Sequence, residues 1–378
     1  MRIYLELILL GFLTSLLFPP YFIIPLGFIV FPYLFFKIIK DKYKENLKLI
    51  FFRGFFYGLV LNLSLFFWLK EPFLIDASTK NFFFLSYILI FYIAIYSGIL
   101  FVVIKLFKDE NIQILIFPII FVILEILRTK LFISFPWNLM AYTFSDNAKL
   151  FYISKYIGVY GVSYFALVIF LIPVLIINIF NNKNLKFNLF YLLSIFIFII
   201  IFYLYSFILE KEEKIENYSN LDIIIHQNNI PQDQKWNFNK SKNRLEDLNL
   251  FIKNNSNNII PTLIISSETE IPYMINKNDK ILNRIQLLLD NNTTVIIGAI
   301  REDQENNSYY NSMYLIDSNR VEYFDKKILV PFGEYVPLKN LFPFIKKLSF
   351  ISSEFTKGDK ERKLKFDINK YPRFNFNS

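Results

Sequence analysis

The 378 residues contain no cysteine and one histidine, His226. The first absence excludes disulfides, thiolate metal sites and a cysteine nucleophile among these residues. The second excludes a histidine-rich metal site and confines any serine–histidine triad to His226. No internal repeat is visible. Acidic residues are scarce in the first half: residues 1–209 carry 17 Lys/Arg against 9 Asp/Glu, and residues 210–378 carry 24 against 23. The net charge of +9 therefore belongs almost wholly to the first half, in short loops between apolar runs. Retention of those loops on the cytoplasmic side explains the basic pI better than nucleic-acid binding does.

Apolar residues are abundant: 54% of the chain, with 46 Phe and 24 Tyr. They concentrate in residues 1–209. A bilayer core needs about 20 mostly apolar residues per helix. Seven candidates follow, at roughly 3–18, 22–39, 51–69, 82–104, 112–128, 157–180 and 188–209. The first precedes no small-residue cleavage site and reads as a retained span. "FPPYF" at 18–22 breaks the first hairpin. Arg2, Lys40, Lys42, Lys44, Lys48, Arg53, Lys105, Lys108, Lys183 and Lys186 fall on one side if the N-terminus is cytoplasmic. Seven spans then place residue 210 onward outside.

Residues 210–220, "EKEEKIENYSN", read as a linker. Beyond them strands and helices alternate. Strands are expected at 221–227, 262–268, 293–300, 311–317 and within 320–330, with amphipathic helices at 239–256 and 279–290. This is the pattern of a layered α/β domain. His226 falls in the first strand and receives no role.

Two stretches carry groups suited to chemistry. In "ISSETEIPY" (265–273), Glu268 stands at a strand end, where α/β sheets commonly place ligands. Taken alone, this stretch favours a solvated loop carboxylate for Glu268, and Glu270 is a rival for any role. In "YFDKKILVPFGEYVPLK" (323–339), Lys326 and Lys327 precede Pro331, Gly333 and Glu334. A lysine beside two carboxylates suits oxyanion stabilisation with one carboxylate as base. The bland alternative is a Lys-rich edge strand followed by a turn. Within the apolar half, Glu6, Glu125, Arg128 and Lys155 are the charges to weigh for a transporter or channel. Glu125 and Arg128, at i and i+3, are expected to pair with each other.

Taken in order, the segments resemble the apolipoprotein N-acyltransferases, enzymes of bacterial lipoprotein maturation. The resemblance rests on "FPP" (18–20), "GFFYGLVLNLSLFFWL" (54–69), "LEILRTKLFISFPWNLMAYT" (124–143), "GVYGVSYF" (158–165), "HQNNIPQDQKW" (226–236), "SSETEIP" (266–272), "IIGA" (296–299), "YYNS" (309–312) and the 323–339 stretch. It spans nearly the whole chain; the two most specific motifs are those at 226–236 and 323–339. It implies a multi-pass α-helical membrane bundle (1–209), a linker (210–220) and an α/β nitrilase-like domain (221–378), an incomplete α-β-β-α sandwich. By the same resemblance, Glu268 matches the catalytic Glu, because the "E-x-x-I-P" frame selects it over Glu270. Lys326 matches the catalytic Lys, and Glu334, Tyr310, Asn311 and Trp137 match supporting residues. Trp137 and Asn138 would lie on the outer face. The implied partners are a phospholipid acyl donor, a diacylglyceryl apolipoprotein acceptor and the membrane, with no nucleic acid, metal or cofactor. The implied location is the bacterial inner membrane, with the α/β domain outside.

The family's cysteine nucleophile has no counterpart here. By the lead-in "KLKFDINKYPRFNFNS", Ser378 falls at or just before that site. A truncated product is the favoured reading; a non-catalytic lipid-binding relative or Ser378 as nucleophile are the others. A sheet short of its closing strands would leave an open edge, and a destabilised domain is expected.

Overall fold

A computed structural model describes residues 2–40, 46–74, 80–131, 135–147, 151–212, 221–231, 238–276, 279–330, 334–335, 354–358, 364–365 and 375–376. The chain divides into two compact units, Met1–Leu74 with Asn81–Ile215, and Ile75–Lys80 with Glu216–Ser378.

The apolar runs of the first unit become helices, because a backbone outside water must satisfy its polar groups within its own segment. They are α1 (Arg2–Ser15), α2 (Gly27–Lys40), α3 (Leu47–Phe66), α4 (Leu85–Leu106), α5 (Glu110–Lys130), α6 (Ser154–Phe170), α7 (Ile172–Phe180) and α8 (Leu185–Glu212). Their starts follow local chemistry. The Asn46 side chain caps α3 by accepting from the Lys48 N–H at 2.9 Å, and Asp109 caps α5 through Asn111 and Ile112. Among the described residues four helical stretches are long and apolar enough to cross a membrane: Leu47–Leu74, Lys80–Leu106, Glu110–Lys130 and Ser154–Phe180. The other three expected spans appear as shorter apolar helices, Ile3–Ser15, Ile24–Ile38 and Leu185–Ile201. Leu17, Phe31, Phe35, Phe117, Leu167 and Phe170 form the inner core. Phe52, Phe91 and Phe190 remain exposed on helices. Large apolar residues on both faces are the mark of helices solvated by lipid rather than water.

The second unit is built on a six-stranded mixed sheet of β1 (Asp222–His226), β2 (Thr262–Ser266), β3 (Met274–Ile275), β4 (Thr293–Asp303), β5 (Ser308–Asp317) and β6 (Val321–Asp325), in the order β1-β2-β4-β5-β6 with β3 pairing β4. A separate pair joins β7 (Leu364–Lys365) and β8 (Asn375–Phe376). Strands β1, β2 and β4 run parallel, with α9 (Phe238–Asn255) and α10 (Lys280–Leu287) as crossovers. Buried parallel strands read as continuous apolar runs, which is why "LIIS" and "TTVIIGAI" were legible. β4, β5 and β6 then form an antiparallel meander. Its turns are set by aspartates: Asp303 accepts from the Glu305 N–H, and Asp317 from those of Asn319 and Arg320.

Strand alternation gives the sheet two faces. On one, Leu248, Ile252, Leu282 and Ile285 of the helices pack on Ile264, Val295, Ile297, Ala299 and Tyr314. Each such burial is worth about 1.5–3 kcal/mol. The other face holds a smaller cluster, Leu263, Ile296, Leu315 and Phe324.

Candidate active site

The loop after β2 aims two carboxylates in different directions. Thr269 between them has φ 54°, a left-handed conformation that costs a β-branched residue about 1–3 kcal/mol. The loop is laced onto β4 by the Gly298 N–H to Ser267 C=O (3.3 Å) and the Ile271 N–H to Gly298 C=O (3.1 Å). A Cβ at Gly298 would stand 2.5 Å from the Thr269 nitrogen and 2.8 Å from the Glu268 Cα, so glycine is what lets the loop lie down. Glu270 turns inward, is buried, and accepts hydrogen bonds from Asn228 and Ser267. Glu268 turns outward, its side chain 62% exposed.

Glu268 meets Lys326, one residue past the end of β6. Lys326 Nζ lies 3.2 Å from Glu268 Oε1 and 3.1 Å from Glu334 Oε1. Asn311 of β5 binds the same two oxygens, its Nδ2 donating to Glu268 at 2.5 Å and to Glu334 at 2.7 Å. Glu334 is buried and fixed at its other oxygen by the Val330 N–H at 2.7 Å. The backbone completes the frame: the Lys326 N–H donates to Asn311 C=O at 2.8 Å, and the Gly358 N–H to Lys326 C=O at 3.0 Å. Burial alone would lower the pKa of the lysine ammonium. The hydrogen bond to Glu334 and the charge of Glu268 outweigh that and hold it above the ordinary lysine value. A cation kept charged, next to one exposed and one buried carboxylate, can receive a developing oxyanion while the exposed carboxylate takes a proton.

Of the residues singled out in the sequence, Glu268, Asn311, Lys326 and Glu334 are brought together. Lys327 is exposed and makes none of these contacts. Tyr310 does not join them. Its ring lies 4.1 Å from the Arg301 guanidinium carbon, among the groups of the opposite face, because neighbours on a strand point opposite ways. His226 lies against Phe251, with ring centres 4.1 Å apart. Residues 232–237, 331–333, 336–353 and Ser378 lie outside the described residues, and with them Pro331, Gly333, much of the 226–236 motif and the far end of the 323–339 motif. Among the described residues no cluster of His, Asp or Glu is placed to hold a metal ion.

Trp137 belongs to the first unit. Its indole stacks on Trp68 at 4.8 Å between ring centres. Its loop is held by the two buried charges of α5. Arg128 Nη2 donates to the carbonyls of Trp137 (3.1 Å) and Asn138 (3.5 Å), while Glu125 Oε1 accepts from the Met140 N–H at 2.7 Å. The expected Glu125–Arg128 ion pair is not formed. An irregular loop in apolar surroundings has orphan backbone groups, and these take both side chains.

One chain thus combines helices long and apolar enough to cross a membrane with an α/β unit that carries a carboxylate–lysine–carboxylate cluster. Comparison with known proteins narrows the class. Residues 10–172 match the apolipoprotein N-acyltransferase N-terminal domain. The apolipoprotein N-acyltransferase of Rickettsia prowazekii is 29% identical over 368 residues, covering 93% of this chain and 70% of that protein. Those of Rickettsia typhi and Aquifex aeolicus are each 28% identical, over 367 and 361 residues, 93% of this chain and 70% and 75% of theirs. The chain is thus similar to apolipoprotein N-acyltransferases over 93% of its length.

Proposed function

We propose that the chain works in transfer of an acyl chain from a membrane phospholipid to the α-amine of a diacylglyceryl-cysteine on an apolipoprotein. The observation that carries this is the placement of Lys326 Nζ between Glu268 and Glu334, with Asn311 bracing both carboxylates. Glu268 takes the proton from the attacking nucleophile. Lys326 faces the oxygen that becomes negative when the ester carbonyl turns tetrahedral. Glu334, buried and doubly bonded, holds Lys326 in place. As the intermediate collapses, the carbon–oxygen bond to the glycerol breaks and the lysophospholipid leaves as an alcohol, carrying the proton from Glu268. In the family's route a thiol makes the first attack and the amine the second. These 378 residues include no cysteine, so a test of the first step has to supply the thiol.

The helical unit gives both lipids access from the bilayer. The basic excess of the segments 40–53, 105–108 and 183–186 supports a cytoplasmic-membrane location with those segments inside and the sheet unit on the outer face.

The test uses the full chain in phospholipid vesicles with a small alkyl thiol as nucleophile. Lysophospholipid and the alkyl thioester are followed by mass spectrometry. Release is expected above the vesicle background and should fall about 100-fold or more in Lys326→Met, the usual loss for one oxyanion donor. Release no faster than the background, or unaffected by Lys326→Met and Glu268→Gln, overturns the reading.

A further inference from the structure

Directly behind the Lys326 cluster, on the helix-covered face of the sheet, lies a second set of charges. Arg301 of β4 grips Asp325 of β6 through two parallel hydrogen bonds, Nε to Oδ1 and Nη2 to Oδ2, both 2.9 Å. Ser312 of β5, between them, donates to Asp325 Oδ1 at 2.6 Å. The guanidinium is sandwiched by aromatic rings, 4.1 Å from the centre of Tyr310 and 4.6 Å from that of Tyr323. Arg301 Nη1 also stands 3.8 Å from Asp303. Arg301 is 7% exposed and Asp325 6%.

The chain positions of these groups interleave with those of the candidate site. Asp325 immediately precedes Lys326. Tyr310 and Ser312 flank Asn311. In extended backbone, fixing one side chain on one face fixes the exit direction of its neighbour on the other. Tightness at this point is evident from Gly358, whose Cβ, if it had one, would collide with the Asp325 carbonyl.

A buried ion pair is a weak source of net stability, because desolvation of both charges offsets their attraction. Two parallel bonds from a planar guanidinium do fix direction, which lysine could not. We propose that Arg301 and Asp325 are positioning residues for the acyl-transfer site, holding Lys326 and Asn311 at the distances that Glu268 and Glu334 require. The proposal rests on the site reading above for its chemistry and on the geometry of the two sheet faces for its mechanics.

Three forms of the full chain in nanodiscs test it: unaltered, Arg301→Met with Asp325→Leu, and Arg301→Lys. Replacing both charges avoids stranding one of them, so the double variant is expected to fold. Amide hydrogen exchange at Lys326 and the titration of its ammonium are read by NMR, and thioester formation in the thiol assay beside them. In the double variant, the Lys326 amide should exchange faster, its titration should drop towards the ordinary lysine value, and transfer should fall about 100-fold, the scale of a misplacement near 1 Å. Arg301→Lys, which keeps charge without the fork, should fall between. A double variant whose Lys326 exchanges and titrates as in the unaltered chain overturns the proposal whatever transfer does. Absence of transfer from the unaltered chain overturns the acyl-transfer reading alone, because exchange and titration need no turnover.

Discussion

The two units treat buried charge in opposite ways. In the helical unit, Glu125 and Arg128 sit one turn apart on α5 and still do not pair; each binds the backbone of the 137–140 loop. In the sheet unit, Arg301 and Asp325 are separated by a whole strand, yet they meet in two parallel bonds. The difference lies in what else needs a partner. β4 pairs with β5 from Thr294 to Asp303 and β5 with β6 from Ser312 to Ile316, so the ladder supplies backbone partners there and the side chains on one face are left to each other. The loop after α5 has no ladder, and its orphan N–H and C=O groups outcompete a side-chain partner in apolar surroundings. Spacing along a helix tells which side chains can meet, not which will.

That contrast can be broken most forcefully at Arg301. Arg301→Met leaves Asp325 buried without its cation, and the expected cost is about 3–5 kcal/mol. Urea unfolding of the sheet unit, read by hydrogen exchange of β4–β6 amides, measures it. A loss under 1 kcal/mol would mean that Asp325 is as well served by Ser312 and water.

Arg128→Met in the helical unit strands the carbonyls of Trp137 and Asn138 and removes a cation near buried Glu125, although the two side chains make no ion pair. Its expected cost is smaller, about 1–3 kcal/mol. The visible sign should be loss of the Trp68–Trp137 stack, read by near-ultraviolet circular dichroism. If Arg128→Met costs as much as Arg301→Met, the two charges do interact with each other in the membrane and the contrast fails. Gly298→Ala pushes the Glu268 loop off β4 and should destabilise the sheet unit by about 1–3 kcal/mol, the range for overpacking. The thermal unfolding of the helical unit should not move.

Much of this was legible in the sequence, for specific reasons. The apolar runs gave the helices, since nothing else suits 20 such residues. The strands of the sheet showed because β-branched residues clustered between polar stretches. The two-residue β3 was missed: Met274–Ile275 is too short for any period to register. Family motifs separated Glu268 from Glu270, whereas the physical reason, a left-handed Thr269 turning them apart, needs coordinates. The Arg301–Asp325 grip was invisible because its members lie 24 residues apart and meet only through the β4–β5–β6 register. The one available signal was parity: Tyr310 and Ser312 share a face, and that face cannot be Asn311's. The family resemblance matched Tyr310 to a supporting residue beside Asn311, and strand alternation puts its ring on the opposite face, against Arg301.

The smallest expected effect separates a held cation from a free one. The raised Lys326 pKa means that the folded unit binds this proton more tightly than the unfolded chain does. Lys326 therefore contributes stability that is fully present below the unfolded lysine pKa of about 10.4. That contribution fades as pH rises through the higher folded value. Because the side chain is 31% exposed, solvent screens the pair and the change is modest. Tyrosines titrate in the same range, so the measurement is the difference between the unaltered chain and Lys326→Met, taken from pH 8 to about 12 by urea unfolding. The difference should be flat at the acid end and shrink towards the alkaline end. A constant difference for Lys326→Met across the whole range would mean that its ammonium is no better bound in the folded sheet unit than in water, and that the Glu268–Lys326–Glu334 contact does not order the site.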